Sequence, residues 1–202
     1  MPILNRLVDV NLRWYLWRQR PKGHHRVSTN QKLAWLVLRE AMHVAELNEI
    51  EVVVSGGTLL GAVRDSRFAG RPSDVDLRVM GNCEEARNFA SILQTSQPHF
   101  SYIQEGADRI QLGFFPKLLL TRLLAGSGFL LDIEFTTKDC LKTAWDENSK
   151  HVGPVMTDHW TTHDGLVATI FNCQVLVPDQ WEEYVLQMYG ADWQTPRRAS
   201  LV

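Results

Sequence analysis

The sequence predicts an α/β (α+β) fold, a twisted mixed sheet flanked by helices. Segments with apolar residues at helical spacing alternate with short β-branched runs, which is the pattern of helices laid on a sheet. One Val-rich run stops at Gly56-Gly57 and passes directly into a further apolar helical pattern, so strand, glycine turn and helix follow one another without a loop. No Ser/Gly/Pro-rich linker divides the 202 residues, so these elements are expected to share one core.

The elements follow in chain order. Residues 1–29 read as a basic helical extension, with Arg6, Arg13, Arg18, Arg20, Lys22 and Arg26 opposed only by Asp9, and with Trp14, Tyr15 and Trp17 among them. Such a helix either packs Leu4, Leu7, Val8 and Leu12 on the domain with its arginines solvated, or makes a peripheral contact with an anionic membrane surface. Residues 30–202 read as a single domain. Leu33, Val37, Ala41, Val44 and Leu47 predict a helix over 30–48, capped by Thr29 or Asn30. Glu51 to Ser55 is a short strand and Thr58 to Val63 a short helix. Val75 to Met80 is a strand and Glu84 to Leu93 a helix. Phe100 to Gln104, Arg109 to Phe115 and Phe129 to Phe135 complete the central strands. Residues 136–165 are irregular. Val167 to Val177 is one further apolar run, and a last helix near Asp179 to Tyr189 is anchored by Trp181, Tyr184, Tyr189 and Trp193 as core aromatics.

Bulk properties exclude several classes. A formal charge of −2 gives no general electrostatic reason to bind nucleic acid, so no nucleic-acid partner is expected and any phosphate must be met by a local site. Cys83, Cys140 and Cys173 are odd in number and far apart, which argues against a disulfide framework and for a reducing compartment. With no apolar run of about 18 residues and no signal-like apolar region at the start, the expectation is a soluble, cytoplasmic protein.

The chemistry concentrates in Ser55 to Asp76. A glycine turn leaving a strand offers bare backbone N–H groups to a phosphate, and Asp74 and Asp76, two apart on a strand, project to the same side. Asp132 lies inside a later apolar strand, and with Asp74 and Asp76 it can complete a site for Mg2+ or Mn2+, since every candidate ligand is a hard oxygen. Such sites serve phosphoryl transfer by positioning and charge neutralisation. Glu134 shares the face of Asp132 and is either a supporting group or solvent-facing. His151, His159 and His163 crowd the irregular segment. His159 and His163 have the i, i+4 spacing of helical zinc ligands, but no Glu follows His159 as a metalloprotease motif requires, so packing or an acceptor-side loop with Trp160 is the plainer reading.

Residues 55–80, SGGTLLGAVRDSRFAGRPSDVDLRVM, resemble the signature block of the LicD/fukutin family of the nucleotidyltransferase-fold superfamily. Gly57 to Arg64, Phe68, Asp74 and Asp76 match it without a gap. Residues 175–196, VLVPDQWEEYVLQMYGADWQTP, resemble that family's closing block, and Leu131-Asp132-Ile133 stands at its third acid. The chain departs from the pattern at Arg71-Pro72-Ser73, where bacterial members commonly carry Trp-Asp-Asp. The resemblance implies a nucleotidyltransferase-like sheet and transfer of a phospho-alcohol from a CDP-alcohol donor to a sugar or other hydroxyl acceptor, with release of CMP. Asp74, Asp76 and Asp132 would be catalytic and hold the metal, Asp132 also helping to deprotonate the acceptor. Gly56, Gly57 and Thr58 would bind the donor phosphate through backbone N–H groups and the Thr58 hydroxyl, and Arg64 would neutralise it. An NTP donor giving NMP transfer, and a non-catalytic nucleotide-binding module, are the competing readings.

Overall fold

A computed structural model of the chain describes residues 28–97, 99–106, 108–114, 129–135 and 166–196. The basic extension up to residue 27, Cys140 and the segment with His151, His159 and His163 lie outside the described residues.

Helix α1 spans Thr29–Leu47 and is capped by Ser28, whose hydroxyl accepts from Gln31 N at 3.3 Å. The cap therefore falls one residue before the expected Thr29 or Asn30. Asn30 and Gln31 instead reach across to the loop after residue 66: Gln31 Nε2 donates to Phe68 O (2.9 Å) and Gly70 O (2.7 Å), and Asn30 Nδ2 donates to Pro72 O (2.9 Å). Strand β1, Val52–Val54, is wholly buried. Helix α2, Gly56–Asp65, starts at the glycines, two residues before the apolar periodicity shows it, because glycine has no side chain to carry a period.

Strand β2 is Asp74–Val79, followed by helix α3, Cys83–Ser96. Asn82 and Glu85 close a capping box on α3: Asn82 Oδ1 accepts from Glu84 N (2.8 Å) and Glu85 N (3.1 Å), while Asn82 N donates to Glu85 Oε2 (2.8 Å). Strands β3 (Phe100–Glu105), β4 (Arg109–Phe114) and β5 (Phe129–Glu134) follow. The expected single run from Val167 to Val177 is a hairpin of β6 (Val167–Ile170) and β7 (Cys173–Leu176), turned at Phe171 and Asn172 with Phe171 at φ 54°. No Gly or Pro marks that turn in the sequence. The last helix, α4, is Trp181–Tyr189.

The strands form one mixed sheet, as the sequence predicts, and their order is β3-β4-β5-β2-β1-β7-β6. β2 runs parallel to β5 and β1 parallel to β7; the other pairs are antiparallel. Val75, Leu77, Leu131 and Ile133 are fully buried and lie among α1 and α3 packed on the centre of the sheet. Strand alternation then gives the acids of β2 and β5 the opposite face. Among the described residues no helix is long and apolar enough to cross a membrane.

The loop from Ser66 to Ser73 is held at both ends. Phe68 is buried against Phe171, whose N–H donates to Ser66 O at 2.8 Å, and α1 holds three carbonyls of the loop. Gln31→Ala would leave Phe68 O and Gly70 O without that donor, and a cost of about 1–3 kcal/mol is expected in urea unfolding with an unchanged slope. A loss within error of zero would show that the loop is held by Phe68 packing alone.

Candidate active site

The parallel register of β2 and β5 sets Asp76 directly beside Asp132, with Asp74 two residues earlier on the same face. One carboxylate oxygen from each of Asp74, Asp76 and Asp132 lies within 4.8 Å of the other two. The three acids singled out by spacing are therefore brought together, on one face of the two central strands.

The glycine turn meets this cluster through Asp76. Helix N-termini carry unpaired N–H groups and partial positive charge. Here Asp76 Oδ2 accepts from Gly57 N at 2.9 Å and from Thr58 N at 3.4 Å, and Asp76 N donates to Thr58 Oγ1 at 2.9 Å. The N–H groups expected to bind phosphate are thus engaged by a carboxylate of the same site. Gly56 is required at this corner for two reasons. Its φ is +47°, and a Cβ there would stand 2.7 Å from Asp76 Oδ2. Gly56→Ala should cost about 1–2 kcal/mol from the left-handed backbone alone and push the Asp76 carboxylate out of place. Thermal unfolding and Mn2+ binding, both measured on the variant, should fall together. Unchanged Mn2+ affinity would separate the glycine from the acids.

The electrostatics are those of crowded carboxylates. Burial, then the charges of Asp74, Glu134 and Asp132, push the Asp76 pKa up from 3.8 to about 7, against the hydrogen bond from the Thr58 backbone. Asp132 is 4% exposed; burial raises its pKa, opposed by Gln111 Nε2, which donates to Oδ1 at 2.9 Å, and Arg109 Nη1, which donates to Oδ2 at 3.2 Å. Glu134 is partly buried and its pKa is also raised, burial outweighing the Arg78 guanidinium 3.8 Å away. Burial alone would lower Arg109, but the carboxylates of Asp108 and Asp132 outweigh it and raise that pKa.

Two tyrosines of α4 lie near enough to the acids to feel their charge. Tyr184 takes a hydrogen bond from the Gly56 backbone, and its pKa is raised by burial and by the charge of Glu134. Tyr189 is pushed up to about 12 by burial, then by Asp76, Glu134 and Asp74. Both pack on the core as expected. Sequence reasoning did not assign Arg78, Arg109, Gln111 or these tyrosines to the site. Arg109 and Gln111 alternate on β4 as Asp132 and Glu134 do on β5, yet only the strand register, Gln111 against Asp132 and Arg109 against Glu134, joins the two sets.

Arg64 lies near the C-terminal end of α2 and is 11% exposed. Its Nε and Nη2 donate to Asp65 Oδ2 at 3.0 and 2.8 Å, and Nη1 donates to Trp193 O at 3.2 Å. It thereby ties α2 to the turn after α4, whose Trp181 and Trp193 rings meet edge to face at 5.9 Å. Beside the acids opens a cleft of about 190 Å3 lined by Gly57, Thr58, the loop from Phe68 to Ser73, Asp74 and Asp76.

The chain is similar in structure to ANT(2'')-Ia in complex with adenylyl-2''-tobramycin, at 14% identity and a TM-score of 0.46 over 80% of this chain and 77% of that one. A solution structure of the same antibiotic-resistance factor gives 14% identity and a TM-score of 0.47 over 83% and 75%. Cid1, described by its RNA terminal uridylyl transferase activity, gives 16% identity and a TM-score of 0.35 over 56% of this chain and 32% of that one. These are distant likenesses of architecture and none is to a LicD/fukutin protein. No family model and no curated protein matches the chain.

Proposed function

We propose that this chain is a metal-dependent transferase that moves a phosphorus-bearing group from a nucleotide donor to a hydroxyl acceptor. The observation that carries this reading is the convergence of Asp74, Asp76 and Asp132 beside the N-terminus of α2. The residues suit a hard divalent cation: three carboxylate oxygens lie within 4.8 Å of one another, and Asp76 is pushed up to about 7 by burial and by its acidic neighbours. Mg2+ or Mn2+ held by these three would neutralise charge on the transferring phosphate and acidify an attacking hydroxyl.

The chain's own residues supply the rest. Gln111 and Arg109 fix the orientation of Asp132, and burial makes it a stronger base than an ordinary aspartate, which suits it to take the proton of the acceptor hydroxyl. The acceptor oxygen then bonds to phosphorus as the phosphorus–oxygen bond to the leaving group breaks. Gly57 and Thr58 present two N–H groups for which the donor phosphate would compete with Asp76. Arg64, held by Asp65 and Trp193, acts in this reading through the placement of α4 and its tyrosines, and reaches a phosphate only by leaving Asp65.

Two donors suit this geometry. An NTP would give NMP transfer and pyrophosphate. This nucleotidylyl reading is taken first, because it asks nothing of the chain beyond the acids and the glycine turn, and it is the kind of transfer named for Cid1 and implied by adenylyl-tobramycin in ANT(2'')-Ia. A CDP-alcohol would give phospho-alcohol transfer and CMP, and it is favoured by the ungapped match of Gly57 to Arg64, Phe68, Asp74 and Asp76 to the LicD/fukutin block. The acceptor panel includes aminoglycosides, simple sugars and RNA ends, since Cid1 acts on RNA. Incubation of the full chain with Mn2+, each acceptor and NTPs or CDP-alcohols separates the readings by product. Pyrophosphate supports the first, CMP the second, and absence of any turnover with intact nucleotide binding would leave only a binding module.

A further inference from the structure

We infer that Arg71 is a substrate-contacting residue that binds the anionic phosphate portion of the donor in the cleft beside the three acids. The inference rests on the transferase reading and goes further by assigning a ligand class to that cleft. Among the described residues, other cations around the acids are committed: Arg109 to Asp132 at 3.2 Å and Asp108 at 3.5 Å, Arg78 beside Glu134 at 3.8 Å, and Arg64 to Asp65 at 2.8 Å. Arg71 lines the cleft, is exposed, and makes no hydrogen bond or ion pair among the described residues.

The loop that carries Arg71 is fixed rather than merely near. The carbonyls on either side of it, Gly70 O and Pro72 O, are held by Gln31 and Asn30, and Phe68 anchors the loop in the core. A guanidinium on a pinned backbone loses less freedom on binding and presents a planar fork matched to phosphate oxygens. Asp74 and Asp76 line the same cleft, so it combines an anion-binding side chain with the acids that would hold a cation. An anion with several oxygens suits both at once. At about 190 Å3 the cleft is smaller than the roughly 300–1,000 Å3 of pockets that enclose drug-sized ligands. It therefore takes a compact phosphate or diphosphate, with the nucleoside lying outside it.

The test measures binding of inorganic pyrophosphate and of NTPs by calorimetry, with Mn2+ present, on the full chain and on Arg71→Ala and Arg71→Lys. Arg71→Ala is expected to weaken pyrophosphate and NTP roughly 10- to 100-fold, as loss of a charge-assisted contact does, and Arg71→Lys to recover part of it. Nucleoside monophosphate should change less than pyrophosphate. Mn2+ affinity, read separately by electron paramagnetic resonance, and thermal stability should stay as in the parent chain, since Arg71 is exposed and pairs with no acid among the described residues. Equal pyrophosphate affinity in parent and Arg71→Ala overturns the inference and leaves the transferase reading standing. Failure of the parent chain to bind Mn2+ or any nucleotide overturns the transferase reading itself. A fall in Mn2+ affinity in Arg71→Ala also overturns the inference, by showing that the arginine acts on the acids.

Discussion

Asp74→Asn and Asp76→Asn should each lose turnover by roughly 10²- to 10³-fold or more while remaining folded, because an amide keeps the shape of the side chain and loses the charge that holds a divalent ion. The two positions differ in what else they do. Asp76 also accepts from Gly57 N and Thr58 N, and an asparagine retains one oxygen for those bonds, so the start of α2 should stay capped. Asp74 accepts only from the Ser73 hydroxyl at 3.2 Å among the described residues and its charge pushes Asp76 up, so its replacement should cost no stability and should ease the repulsion of the metal-free site at neutral pH. Mn2+ affinity should fall in both, in step with turnover. Parent-like turnover in either purified variant would remove the three-acid site from the mechanism. Turnover lost with Mn2+ affinity unchanged would assign that aspartate to proton transfer instead.

How much of this was legible in the sequence depends on whether a feature is local. Asp74 and Asp76 share a face because strand side chains alternate, which needs no knowledge of the partner strand. Asp132 was legible as an acid inside an apolar strand, where a charge is unexpected without a role. Strand periodicity and the glycine turn gave the central elements to within a few residues. The β6–β7 hairpin was not legible, since Phe171 occupies a positive-φ turn position with no glycine to announce it. The supporting shell was hidden for a different reason. Gln111 and Arg109 reach Asp132 through antiparallel register, and Tyr184 and Tyr189 through the docking of α4, both properties of tertiary structure. The engagement of Gly57 and Thr58 by Asp76 belongs to the same class. A glycine turn read alone looks ready for phosphate, and only the fold places a carboxylate there first.

The crowding of these acids predicts how stability should respond to pH and metal. Asp76 rises from 3.8 to about 7 on folding, so the folded state holds its proton more tightly than the unfolded chain does. The contribution is full below about pH 4 and is lost as pH climbs through about 7, when folding must confine a charged carboxylate beside Asp74, Glu134 and Asp132. Asp132 and Glu134, also raised, act with the same sign. For Asp76 alone the loss is on the order of a few kcal/mol, taking about 1.4 kcal/mol per pH unit. Metal-free protein should therefore melt lower at neutral pH than near pH 5, and Asp76→Asn should reduce that decline and be the more stable chain at pH 8. Mg2+ or Mn2+ should raise the parent melting temperature strongly at pH 8, weakly near pH 5 where the proton competes, and little in Asp76→Asn at either pH. Differential scanning calorimetry of parent and variant, with chelator and with Mn2+, checks all three. A parent chain whose stability relative to Asp76→Asn rises between pH 4 and pH 7 without metal would mean that Asp76 is a stabilising carboxylate, satisfied by the helix N-terminus rather than waiting for a cation.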